Sequence, residues 1–200
     1  MKRLFAAVLI ISGALLVVVI VAISLVAAPD PGPRGDRNPS VVLYWALGAV
    51  LAIFGTSLAL LLLAVGIAGR LKSIRASNPG APVVVVQRLR HLAEELGSVT
   101  GHPIGNLPSY LIVGAGRREV AFWGRDVSRP LAVISRDDID TVTVEEVYHG
   151  RPLPAIALHV ETTHGLRRIT IVPCREGWEI AAVVERSRTV EIARQFESVT

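Results

Sequence analysis

The 200-residue chain has one cysteine, one methionine and two lysines, and aromatic residues make up only 5% of it. A lone Cys174 excludes an intramolecular disulfide and a cysteine-based zinc site within one chain, and its place in the polar part of the chain fits a reducing compartment. The other 19 of the 21 basic residues are arginines. Joined to heavy use of Ala, Val and Gly, this is a compositional bias rather than a selected phosphate-tracking surface. Residues 70–200 carry 17 basic and 15 acidic side chains, so that part is nearly balanced and no nucleic-acid partner is expected despite a pI near 9.8.

Charge is also missing from two long stretches, 4–28 and 38–69. A helix needs about 20 apolar residues to cross the roughly 30 Å hydrocarbon core, so both stretches are long enough to span. Lys2 and Arg3 before the first run could open a secretory signal, with small residues at Val26-Ala27-Ala28. The run is longer than a signal's apolar core and Pro29 would follow the cut directly, so an uncleaved anchor is the expectation. Basic residues flank the outer ends of the pair: Lys2 and Arg3 before the first, Arg70, Lys72 and Arg75 after the second. By the positive-inside rule both termini are cytoplasmic, joined by a short Pro/Gly-rich external loop over 29–40. Tyr44 and Trp45 stand at the external start of the second span, where amphipathic rings prefer to sit.

In the second span Gly48, Ala52, Gly55, Ala59 and Gly66 fall on one helical stripe. Small residues on one face let another helix approach closely. The partner is either the first span, with Ala6, Gly13 and Ser24 at similar phasing, or a second copy of the chain. The rival reading is that Gly and Ala are simply abundant. Neither span holds a charged side chain, which leaves an ion or proton pathway nothing to run on.

The chain therefore divides into a transmembrane hairpin (1–70, spans about 4–28 and 41–69), a linker with a short amphipathic helix (71–107), and a cytoplasmic α+β domain (108–200). Ser77 to Pro82 is a linker by composition. Val85, Leu89, Leu92 and Leu96 then recur at helical spacing, with Pro82 suited to the first turn and Gly97 to the stop, although Val83–Val86 alone favours a strand. From Tyr110 to Val172 six β-prone runs alternate with turn signals at hairpin spacing, which predicts an antiparallel meander. A final helix over Ile180–Phe196, with Val190, Ala193 and Phe196 as its apolar stripe, is the candidate to close the sheet, and Trp178 could plug its near end.

Leu111-Ile112-Val113, Phe122-Trp123 and Ile134-Ser135-Arg136-Asp137-Asp138-Ile139 before a Val-rich strand resemble the bacterial membrane-anchored PH-like domains, of an actinobacterial type, over roughly 108–197. Ser135 or Arg136 stands where that family often has Trp. The resemblance implies a curved, seven-stranded antiparallel β-barrel capped by a C-terminal helix, and it implies little about ligand, because such folds host many roles.

No catalytic constellation emerges. Gly114-Ala115-Gly116 precedes Arg117-Arg118 and a strand rather than a helix, so a hairpin turn is expected instead of a dinucleotide loop. Asp137, Asp138 and Asp140 lack the spacing of a calcium loop and read as a solvated turn. His91, His102, His149, His159 and His164 form no H-E-x-x-H pattern, and no metal or cofactor is expected. Cys174 with a nearby histidine is the one nucleophile pair that a membrane-face enzyme could use. Arg70, Lys72, Arg75, Arg117, Arg118, Arg167 and Arg168 are the basic residues that could face anionic headgroups, the alternative being an ordinary charged surface. The expected role is a non-enzymatic membrane-tethered interaction module, confined beside the bilayer with a membrane or cytoplasmic protein partner and possible self-association.

Overall fold

A computed structural model describes residues 39–176 and 182–198, with side chains of the first helix from Leu47 onward. The first expected span, most of the external loop, the side chains of Tyr44 and Trp45, and Trp178 lie outside the described residues. The chain forms two compact units, residues 1–63 and 64–200.

Helix α1 spans Pro39–Ser77 without interruption. Among the described residues it is the one helix long and apolar enough to cross a membrane. Within the first unit its Leu47, Leu51, Ile53, Phe54, Leu58, Leu60 and Leu62 are all exposed, around most of the circumference. A helix lying on a water-facing protein surface would keep a polar side. This one has none, so only an apolar medium or an apolar partner satisfies it.

The second unit holds seven strands: β1 (Val83–Gln87), β2 (Tyr110–Ala115), β3 (Glu119–Trp123), β4 (Ala132–Ser135), β5 (Ile139–Tyr148), β6 (Pro152–Thr162) and β7 (Gly165–Cys174). They pair antiparallel in the order β4-β3-β2-β1-β7-β6-β5. The seven-stranded barrel implied by the resemblance is not closed: the sheet is open, with β4 and β5 as its edges, although a 3-10 turn at Arg136–Asp138 joins them in sequence. It nevertheless bends round one core, because Phe122 and Ile134 from one end share a buried cluster with Ile156, Leu158, Ile169 and Ile171 from the other. All six runs foreseen between Tyr110 and Val172 are strands.

Two further expectations are corrected. Val83–Gln87 is a central strand, not the start of a helix. Val86 points into the main core while Val83 and Val85 point to the opposite face, under α1. A strand buried on both faces loses the polar alternation that would announce it, and its β-branched run outweighs the helical spacing. The helix begins only at α2 (Leu92–Thr100), whose Leu92 and Leu96 are fully buried. Gly97 lies inside it, and Gly101, in the left-handed region at φ 71°, ends it instead. The last helix, α3, is Arg186–Glu197. Before it Val183 bridges Cys174, and the Val184 N–H donates to Pro173 O at 3.0 Å, so this stretch is extended along β7. Thr189, Ile192, Ala193 and Phe196 are its buried face, a slightly different stripe from the expected one.

α2 completes the sheet where a strand is missing. β1 ends at Gln87, opposite Val172, so the Thr170 N–H on β7 has no partner on β1. Glu95 of α2 supplies one, its Oε2 accepting that N–H at 2.8 Å.

Candidate functional site

The last turns of α1, inside the second unit, place Ile67, Leu71 and Ile74 against Val83, Val85, Ile112, Ala121, Trp123 and Cys174 on the outer face of the sheet. Gly114 makes room in this layer: a Cβ there would meet Trp123 at 3.0 Å. The polar contacts give the helix a direction. Arg75 Nη2 donates to Val83 O at 3.1 Å, at the start of β1, and its guanidinium pairs with Glu176. Arg70, five residues earlier, donates from Nη1 to Gly124 O at 2.6 Å, just past the end of β3. Ile112 pairs with both Val85 and Trp123, so Gly124 is level with the far end of β1. Within this unit α1 therefore runs opposite to β1, with Arg70 at the end of the sheet formed by Gln87, Tyr110 and Gly124.

This end separates the basic residues singled out from the sequence. Arg70 lies there, half-buried, with Nε reaching back to Gly66 O at 3.4 Å. Lys72 is exposed on the helix, and Arg75 is engaged by Glu176 lower down. Arg117 and Arg118 are exposed in the β2–β3 turn, beside the start of β1 and at the opposite end of the sheet. Arg167 and Arg168 are exposed on β7 where it extends beyond β1, and Arg168 stands 3.5 Å from Glu145. The seven do not form one surface.

Sequence reading missed the loop that does lie beside α1. Between β3 and β4, Gly124–Leu131 carries Arg125 and Arg129, both exposed, and Leu131, 42% exposed. Neither arginine has a carboxylate partner among the described residues. The loop is held in shape from within: Asp126 Oδ1 accepts the Ser128 N–H at 2.9 Å and its hydroxyl at 2.7 Å, bonds that hold the Asp126 carboxyl below its ordinary range. Val127 packs against the cluster that contains Ile67, and Leu131 lies over Gly124, where a Cβ would collide with it at 2.8 Å. Arg125 and Arg129 are isolated in the sequence, so only the register of β3 could have drawn attention to them.

The small-residue stripe lies open. A Cβ at Gly48, Gly55 or Gly66 would meet nothing within 4 Å among the described residues. Gly114 and Ala115 lie in β2, and the Gly116 N–H closes the expected hairpin turn onto Glu119 O at 2.8 Å. Asp137 and Asp138 are exposed in the 3-10 turn, and Asp140 is exposed in β5.

Cys174 sits under α1, 4% exposed, and burial pushes its thiol up to about 12. A thiol so shifted stays protonated at neutral pH and is a poor nucleophile. A cavity of about 550 Å³ reaches it, lined also by Arg75, Arg175, Glu176, Glu185 and Arg188, and no histidine lines it. His159 instead contacts Thr143 at 3.3 Å, and His91 lies 3.6 Å from Glu94.

The chain matches no protein-family model, and no curated protein or solved structure is detectably similar to it.

Proposed function

We propose that this chain is an integral membrane protein that presents a PH-like domain at the cytoplasmic face of the bilayer as a non-enzymatic binding or assembly module. The observation that carries this reading is the composition of α1, one helix that serves two environments. Its earlier part exposes leucine, isoleucine and phenylalanine as a bilayer requires, and its last turns bury Ile67, Leu71 and Ile74 on a folded sheet. A second span over 4–28 and both termini on the cytoplasmic side complete the proposed topology.

Tethering confines the domain to a thin layer beside the membrane, which raises its effective concentration for membrane components without any new contact. The buried, protonated Cys174 supports a structural rather than a catalytic part for the one thiol. The open sheet edges, β4 and β5, are places where an extended segment of a protein partner can pair.

Photo-crosslinking from β5 in intact cells, followed by capture from solubilised membranes, tests the reading. A discrete membrane or cytoplasmic protein joined to the domain is the expected result. A turnover activity abolished by Cys174→Ala would contradict it.

A further inference from the structure

The β3–β4 loop, held by the Asp126 turn and by Val127, leaves two arginines and a leucine exposed beside α1. It projects beside α1 at the level of Ile67 and Arg70, where the uncharged run ends and the first charge appears. Its two arginines are exposed and neither pairs with a carboxylate among the described residues, and a leucine stands exposed close to them in the chain. Several other guanidinium groups of the domain are paired, Arg75 with Glu176, Arg168 with Glu145, Arg186 with Glu146 and Arg188 with Glu191. The exposed Arg117 and Arg118, unpaired among the described residues, lie at the far end of the sheet from Arg70. The loop's own carboxylate, Asp126, is turned inward onto Ser128.

We propose that this loop is a second membrane contact, in which Arg125 and Arg129 meet anionic lipid headgroups and Leu131 enters the interface beside α1. The inference rests on the reading that α1 crosses a bilayer, since that puts headgroups near Arg70. The chemistry suits the place. Guanidinium groups bind phosphate oxygens in pairs of hydrogen bonds, and a basic residue beside an anionic surface shifts the docked population roughly fivefold. A leucine beside them adds apolar burial without needing a polar partner. The loop also loses little freedom on docking, because Val127, the Arg70–Gly124 bond and the Asp126 turn already hold it. Arg117 and Arg118, at the far end of the sheet, take no part.

The test places an environment-sensitive NBD label on the full chain at three introduced cysteines, Leu131→Cys, Leu58→Cys and Arg118→Cys, reconstituted in vesicles that contain spin-labelled lipid. Native Cys174 stays unlabelled because it is buried and protonated. The label at 131 is expected to be quenched by shallow spin labels in vesicles of phosphatidylcholine with phosphatidylglycerol, and the label at 118 to remain water-like. Arg125→Gln and Arg129→Gln each lower the docked-to-undocked ratio roughly fivefold. High salt lowers it for the unaltered loop, a check that needs no variant to fold. A label at 131 as unquenched as that at 118, while the label at 58 is deeply quenched, overturns the second contact and leaves the membrane reading standing. Equal quenching in purely zwitterionic vesicles overturns the part given to the arginines. A label at 58 that stays water-like refutes the membrane reading and the contact with it.

Discussion

Arg70 Nη1 and the carbonyl oxygen of Gly124 are 2.6 Å apart, although 54 residues separate them in the chain. The bond ties the last apolar turns of α1 to the end of β3 and sets which end of the sheet receives the helix. Arg70→Ala removes a charged donor from a half-buried carbonyl, at a cost of about 2 kcal/mol. Arg70→Met, which keeps the stem's packing, separates the lost bond from lost contacts. Thermal unfolding in nanodiscs measures both, and equal melting of Arg70→Ala and the unaltered protein would show that the bond is not formed.

Glu95 stands in for a missing strand at Thr170, and its carboxyl is half-buried. Desolvation raises its pKa above the ordinary 4.5, against the opposing pull of the Thr170 N–H. The folded protein therefore keeps this proton at pH values where the unfolded chain has released it. The Glu95 contribution to stability accordingly falls as pH rises from about the ordinary value through the raised one. Glu95→Gln keeps an acceptor for Thr170 and removes the ionisation, so it flattens that slope and costs little at neutral pH. Glu95→Ala leaves the N–H unsatisfied and costs about 1–3 kcal/mol. Denaturant titrations across pH 4 to 8 separate the two variants.

Cys174 predicts a labelling pattern. Iodoacetamide leaves the folded chain unmodified at neutral pH over hours and modifies one thiol once denaturant opens the layer under α1. Rapid labelling of the folded protein would show that the helix does not cover the sheet there.

Arg136 is 8% exposed in the turn between the two sheet edges, and its Nε and Nη2 have no acceptor among the described residues. Burial lowers its pKa. A charge held this way costs stability that an apolar side chain of similar length does not. Arg136→Met is expected to leave the domain as stable or to raise its stability by about 1 kcal/mol. A marked loss would show that the guanidinium has a partner essential to the fold.

Much of the domain was legible because its strands obey a local rule. β2 to β7 are β-prone runs, most of them set off by Gly, Pro, Asp or Ser, and within β2–β3–β4 and within β5–β6–β7 each strand pairs with its neighbour in sequence. β1 was not, since Val83–Val86 is buried on both faces and Leu89, Leu92 and Leu96 extend a helical spacing into it. Its pairing with β7 spans almost ninety residues, and no local signal encodes that. The basic residues that drew attention were adjacent in the chain, such as Arg117-Arg118. Arg70, whose pKa is lowered by burial and by the nearby charge of Arg125, and Arg125 itself are brought together only by the register of β3 and the direction of the helix.

Alkaline carbonate extraction of membranes from cells that make the full chain probes the role of α1 most directly. A helix whose leucines and phenylalanine face lipid stays in the membrane pellet at high pH and leaves it only with detergent. Recovery of the chain in the alkaline supernatant would show that α1 does not cross the bilayer, and the tethered-module reading would be wrong.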